Sequence, residues 1–153
     1  MTTSDQVTIE SNVIIQSKKR GIQIISGSGS IVSNTIDQTE TGNGIYLLND
    51  SDTTVGPDNS VSNTGKHGIA LEGTNAVDVK NNQVSDCAEQ GILVTSCTDI
   101  SVRDNGVTNT GSTGIYSNNS TGVTITGNQG TSTTDTISST FWQVAIHSVG
   151  TTS

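Results

Sequence analysis

Lys66, His67 and Glu72 place an ammonium, an imidazole and a carboxylate within seven residues of one another. Such groups can neutralise an acidic partner, accept a proton and return one, which is the equipment of proton-transfer chemistry. Arg20 is a further cation of use here, but only a chain that returns on itself brings residue 20 beside residue 66. The other acids fall in local pairs, Asp37 with Glu40, Asp50 with Asp52 and Asp86 with Glu89, where solvated turn carboxylates are the simpler reading. Lys66 also has a simpler reading, a weak surface ion pair with Glu89 one repeat on. His67 and His147 are too far apart to share a metal, and Cys87 and Cys97 lack zinc spacing, so neither a metal nor another cofactor is expected. An extended strand between the two cysteines keeps them beyond disulfide reach.

What positions these groups is a repeat. A four-residue strand begins at Gly21, Gly44, Gly68, Gly91 and Gly114, and asparagines stand at 12, 34, 59, 82, 105 and 128, in steps of 22 to 25 residues. A fixed period of this size means a solenoid of stacked identical units. Each unit reads as three short strands and three turns, about six coils of about 23 residues in all, with Gln143-Val144-Ala145-Ile146 as a sixth copy of the glycine-led strand. The expected class is all-β, a single-stranded parallel β-helix, with residues 1–6 a flexible N-terminus and 7–153 one β-helix domain with an enlarged turn over 130–142.

Side chains alternate along a strand, so Ile45 and Leu47 should face inward and Tyr46 and Leu48 outward. Asparagine at a corner suits a left-handed backbone and can bond to its equivalents above and below; the repeated glycine is expected to serve the backbone at the next corner. Pro57, in a coil one residue too long, should cause a bulge. Phe141 and Trp142 are expected to form a lid over the end of the core. The amino end shows no such cap, which suggests a second copy or additional coils against it.

Composition narrows the function. Only 29% of the 153 residues are apolar, too few for a core unless they are placed periodically, as they are here. A net charge of −8 argues against nucleic acid and anionic membranes as partners. No apolar run reaches membrane-spanning length, and the first residues lack a signal-peptide pattern. Lys18, Lys19 and Arg20 form a short basic run that reads as a solvated turn.

The stretches Asn43 to Asp52 and Val123 to Asn128 resemble the parallel β-helix repeats of the pectin-lyase-like superfamily, and the resemblance extends over residues 7–148. It implies a right-handed, three-faced β-helix, a polysaccharide partner and an extracellular, cell-surface or virion-associated setting. It does not imply a reaction. The adjacent aspartates and Gly-His-Gly of polygalacturonases, the Asp-Pro-His of alginate epimerases and the calcium-binding nonapeptides of some relatives are all missing, so no catalytic residue is assigned.

Aligning the glycines yields an outward column of Gln23, Tyr46, Ala70, Leu93, Tyr116 and Ala145, beside a second of Ile25, Leu48, Glu72, Thr95, Asn118 and His147. The candidate substrate-binding residues are therefore Tyr46, His67, Glu72, Leu93 and Tyr116, with the tyrosines as stacking platforms for a neutral or weakly charged glycan. The alternatives are a complete small lyase or hydrolase using Lys66, His67 and Glu72, or a structural spacer. Ice binding is set aside because a second outward column, read as Thr8, Ser30, Val55, Asp78, Ser101 and Thr124, breaks any threonine array.

Overall fold

The computed structural model describes residues 6–131 in full and, beyond them, the strands Ile137–Ser139, Val144–His147 and Gly150–Thr151 by their backbone pairing. Among the described residues there is no helix. Three parallel sheets run the length of a solenoid. Sheet 1 stacks Val7–Glu10, Gly29–Val32, Thr53–Val55, Asn75–Lys80, Thr98–Arg103, Val123–Thr126 and Val144–His147. Sheet 2 stacks Val13–Ser17, Thr35–Thr39, Ser60–Thr64, Gln83–Cys87, Gly106–Thr110, Gln129–Thr131 and Gly150–Thr151. Sheet 3 stacks Ile22–Ile25, Ile45–Leu48, Ile69–Glu72, Ile92–Thr95, Ile115–Asn118 and Ile137–Ser139.

Pairing is one residue to its equivalent in the next coil, so a side chain's position in the repeat decides its column. Ile45, Ile69, Ile92 and Ile115 form one inward stack, all essentially without solvent exposure. Ile36, Val61, Val84 and Val107 form another from sheet 2. Few apolar residues suffice because each is shielded on both sides by its own kind. Cys87 and Cys97 are buried and free, and burial pushes the Cys87 thiol up to about 11.

The asparagine column is a hydrogen-bonded ladder. Each side-chain amide donates to the carboxamide oxygen of the next, from Asn12 to Asn34 (3.0 Å), Asn34 to Asn59 (3.1 Å), Asn59 to Asn82 (2.8 Å), Asn82 to Asn105 (2.9 Å) and Asn105 to Asn128 (2.9 Å). The oxygens of Asn34, Asn59, Asn105 and Asn128 also accept backbone N–H groups, as Asn105 does from Asn82 at 3.0 Å. The left-handed residue of the corner is not the asparagine but the one before it: Ser11, Ser33, Asp58, Asn81 and Asp104 have φ of 50° to 63°.

The repeated glycines differ from expectation too. Gly21, Gly44, Gly68 and Gly91 have no left-handed backbone; instead a Cβ on Gly68 would lie 2.3 Å from Val84 Cγ1 and 2.7 Å from the Gly91 carbonyl oxygen. The role is steric, leaving space for the sheet 2 aliphatic where sheets 2 and 3 meet. At the long coil, Gly56 donates to the Ile31 carbonyl and the Pro57 carbonyl accepts from Ser33, so two residues fill the place that Val32 fills alone in the coil before. The outward residue of that coil is Thr54, paired with Ser30 and Asp78, while Val55 is fully buried.

The sixth glycine-led copy is misplaced in the reading from sequence. Val144–His147 pairs with Val123–Thr126 in sheet 1, and sheet 3 continues instead with Ile137–Ser139 opposite Ile115–Ser117. Ala145 and His147 therefore leave the outward columns of sheet 3. The proposed lid residues Phe141 and Trp142, and most of the turn expected over 130–142, lie outside the described residues.

Candidate functional site

The turns that lead from sheet 2 into sheet 3 stack in register, with Gly21 donating to the Asn43 carbonyl and Gly44 to the His67 carbonyl. Arg20, Asn43 and His67 therefore occupy one column, and Lys19 and Lys66 stand beside it in the coils on either side of Gly42. These turns and the adjoining outward face of sheet 3 enclose a cavity of about 350 Å³. Lys19, Arg20, Asn43, Lys66 and His67 line it from the turns; Tyr46, Ala70, Glu72 and Leu93 line it from the sheet.

Tyr46 points outward, as its position in the strand requires, yet only 8% of it is exposed. The Arg20 guanidinium covers its ring at 4.3 Å from the centroid and donates to Gln23 Oε1 at 3.2 Å. In the next coil the small side chain of Ala70 lets the ring lean across, so that the phenol donates to Glu72 Oε2 at 2.5 Å. Burial first, and then the bond to Glu72 and its charge, push the Tyr46 phenol up to about 12, with Arg20 opposing. Tyr46 is thus held by polar partners and covered by Arg20, which corrects its reading as an open stacking platform.

His67 is 4% exposed. Its Nε2 lies 3.4 Å from Glu89 Oε2, so Glu89 pairs with the imidazole and not with Lys66. Nδ1 meets no hydrogen-bond partner of good geometry. Burial, with Lys66 aiding it, holds its pKa below the usual 6.5 against the opposing pull of Glu89 and of a side-chain interaction with Gln90, and so favours the neutral ring at neutral pH. An unpaired nitrogen in a buried ring costs free energy unless something completes it.

Of the five residues singled out from sequence, the fold brings Tyr46, His67, Glu72 and Leu93 to one cavity and leaves Tyr116 out of its lining. Lys19 stands in the basic run that was expected to be a solvated turn, and Asn43 entered the expectation only at the start of a stretch that resembles β-helix repeats. The signal for both was the repeat itself: the residues just before each glycine must share a wall. Three of the chain's six Lys and Arg, namely Lys19, Arg20 and Lys66, line this single cavity. A local basic site is not what the net charge of −8 suggested. Among the described residues no cluster of His, Cys, Asp and Glu is arranged to hold a metal ion.

Solved structures share this architecture. The periplasmic alginate epimerase AlgG superposes with a TM-score of 0.86 at 19% identity, over 95% of this chain and 39% of its own. The enzymatically active domain of tailspike protein 2 from bacteriophage CBA120 matches at 0.70 and 16% identity, over 94% of this chain and 22% of its own. The A-module of a mannuronan C-5 epimerase from Azotobacter vinelandii matches at 0.52 and 13%, over 95% and 55%. Identities this low establish a shared fold, and the chain spans less than two thirds of the length of each of these structures. Among curated proteins none matches the sequence. The model of the right-handed β-helix region matches residues 1–129, most of the chain, and with three parallel sheets joined coil by coil this protein belongs to that family.

Proposed function

We propose that this chain is a glycan-binding β-helix whose cavity between the turns and sheet 3 takes an acidic sugar of a polysaccharide. The observation that carries the reading is the convergence of Lys19, Arg20 and Lys66 on a wall that also holds the buried His67, whose Nδ1 meets no protein partner of good geometry. Cations there can bind a sugar carboxylate, His67 and Asn43 can bond hydroxyls, and the glycan can extend past Leu93 toward Tyr116 on the outward face of sheet 3. This replaces the neutral glycan expected from net charge, because the charge that matters is the local one. Extracellular, cell-surface or virion-associated settings are where such a ligand is met, and the parallel folds of a periplasmic epimerase and a phage tailspike support that reading.

A second reading, proton-transfer catalysis beside the carboxylate, is favoured by the Tyr46–Glu72 hydrogen bond and the neutral His67 in the same cavity. The neutral imidazole would receive a proton from the carbon next to the carboxylate while the cations steady the charge that develops. Calorimetric titration with an oligouronate and with a neutral oligosaccharide of equal length tests the binding reading. Arg20→Ala and Lys66→Ala should each weaken oligouronate binding about tenfold, or about 1.4 kcal/mol, and added salt should weaken it further. Equal affinity for the two ligands, unaltered by either substitution, would refute it. Incubation in deuterated water, followed by a search for ring deuteration or unsaturated ends, separates binding from catalysis.

A further inference from the structure

A second cavity, of about 340 Å³, opens on the outward face of sheet 2, and none of its lining residues belongs to the first. Gln83 and Gln129 flank it, Gly106 forms its floor, and Asp104, Thr108 and Thr131 complete the lining used here. The register Gln83 to Gly106 to Gln129 puts these three in one outward column. The Cα atoms of the two glutamines therefore stand two strand spacings apart, about 9.6 Å, with a glycine between them.

Backbone geometry does not explain that glycine. Pairing continues on both sides of it without a bulge, its φ lies outside the left-handed region, and Ser60 and Thr35 fill the same column two and three coils earlier. The nearest atoms to a Cβ at Gly106 would all belong to the Gln83 amide, with Oε1 at 2.3 Å. What a side chain there would displace is the end of a flexible amide, not main chain. Glycine at a strand position gives up packing and conformational restriction, and it often marks a place where a ligand comes close to the backbone.

We infer that this notch is a separate site for one ring of a neutral sugar. Each amide offers a donor and an acceptor, the pair needed for neighbouring hydroxyls of a pyranose. The Thr108 and Thr131 hydroxyls add two adaptable partners, and the flat glycine floor admits the ring itself. Asp104 is the single charge in the lining; Arg103, 3.8 Å from it, is bound chiefly to Asp78, so the rim holds no free cation that would select an anion. Gln83, which now covers Gly106, swings aside or bonds the sugar where it stands.

Side-chain amide signals of the full chain, labelled with nitrogen-15, read this out during titration with maltohexaose, cellohexaose and mannohexaose, with an oligouronate in parallel. At least one neutral hexasaccharide should shift the Gln83 and Gln129 signals saturably. Gly106→Thr, which extends the hydroxyl column of Thr35 and Ser60, should weaken that binding at least tenfold. Should that variant fail to fold, the Gln83→Ala, Gln129→Ala double variant should show the same loss by calorimetry. No shift with any neutral ligand, a response to the oligouronate alone, or unchanged affinity in the variants overturns the inference.

Discussion

The Asn105 side chain accepts from the backbone N–H and the amide of Asn82 and donates to the Val79 and Arg103 carbonyls and to Asn128, while that of Asn82 accepts from the Asn59 amide and donates to the Val55 carbonyl and to Asn105. Asn82→Ala should therefore cost about 1 to 3 kcal/mol, since it strands buried donors and acceptors; urea denaturation measures it. Asp50 is the opposite case, a carboxylate 2% exposed whose oxygens meet no donor in good hydrogen-bond geometry. Burial raises its pKa above 3.8, outweighing the lowering interactions with the Thr53 side chain and the Gly27 and Ser51 backbone, so the folded protein holds the proton more tightly than the unfolded chain. Its contribution is complete below pH 3.8 and is lost as pH rises through the folded value, leaving a burden at neutral pH. Asp50→Thr, which repeats the Thr74 of the next coil, should raise the urea midpoint at pH 7 and lose that advantage near pH 3. The ladder was legible because six asparagines fall on one period. Its left-handed neighbour was not, because Ser11, Ser33, Asp58, Asn81 and Asp104 are short polar residues too, and spacing cannot separate adjacent positions.

At the scale of elements, strand alternation predicted which side chains point inward, and the buried stacks agree. Alternation carries no label for which sheet a strand joins. Val144 to His147 alternates as well in sheet 1 as it would in sheet 3, and only the intervening Ile137–Ser139 decides between them. The cavity was half legible for a related reason: strands place columns, but turns place Lys19 and Lys66, and a turn's direction is not periodic. Likewise Tyr46 and Tyr116 share a column yet have different surroundings, because only Tyr46 has Arg20 above its ring and Ala70 beside it. Ala70 is thus the element that lets the ring reach Glu72. Ala70→Leu should push Tyr46 out of that contact, return its phenol toward 10 in a spectroscopic titration, and weaken oligouronate binding severalfold without loss of fold.

Across the whole molecule, charge and apolar exposure are both uneven. The chain carries −8, yet three of its six basic residues gather at one cavity. The large apolar side chains that stand exposed among the described residues, Val7, Val13, Ile15 and Ile25, all belong to the first coil. Among the described residues the strands of that coil are paired on one side only. Both features favour association, so sedimentation should show concentration-dependent self-association that the Val13→Thr, Ile15→Thr double variant reduces. The proposed function rests on the cavity, and a crystal structure with an oligouronate bound examines it most directly. A sugar carboxylate should lie within ion-pair distance of at least one of Lys19, Arg20 and Lys66, with a hydroxyl on His67 Nδ1. An oligouronate ordered elsewhere on the solenoid, with this cavity holding only solvent, would contradict it.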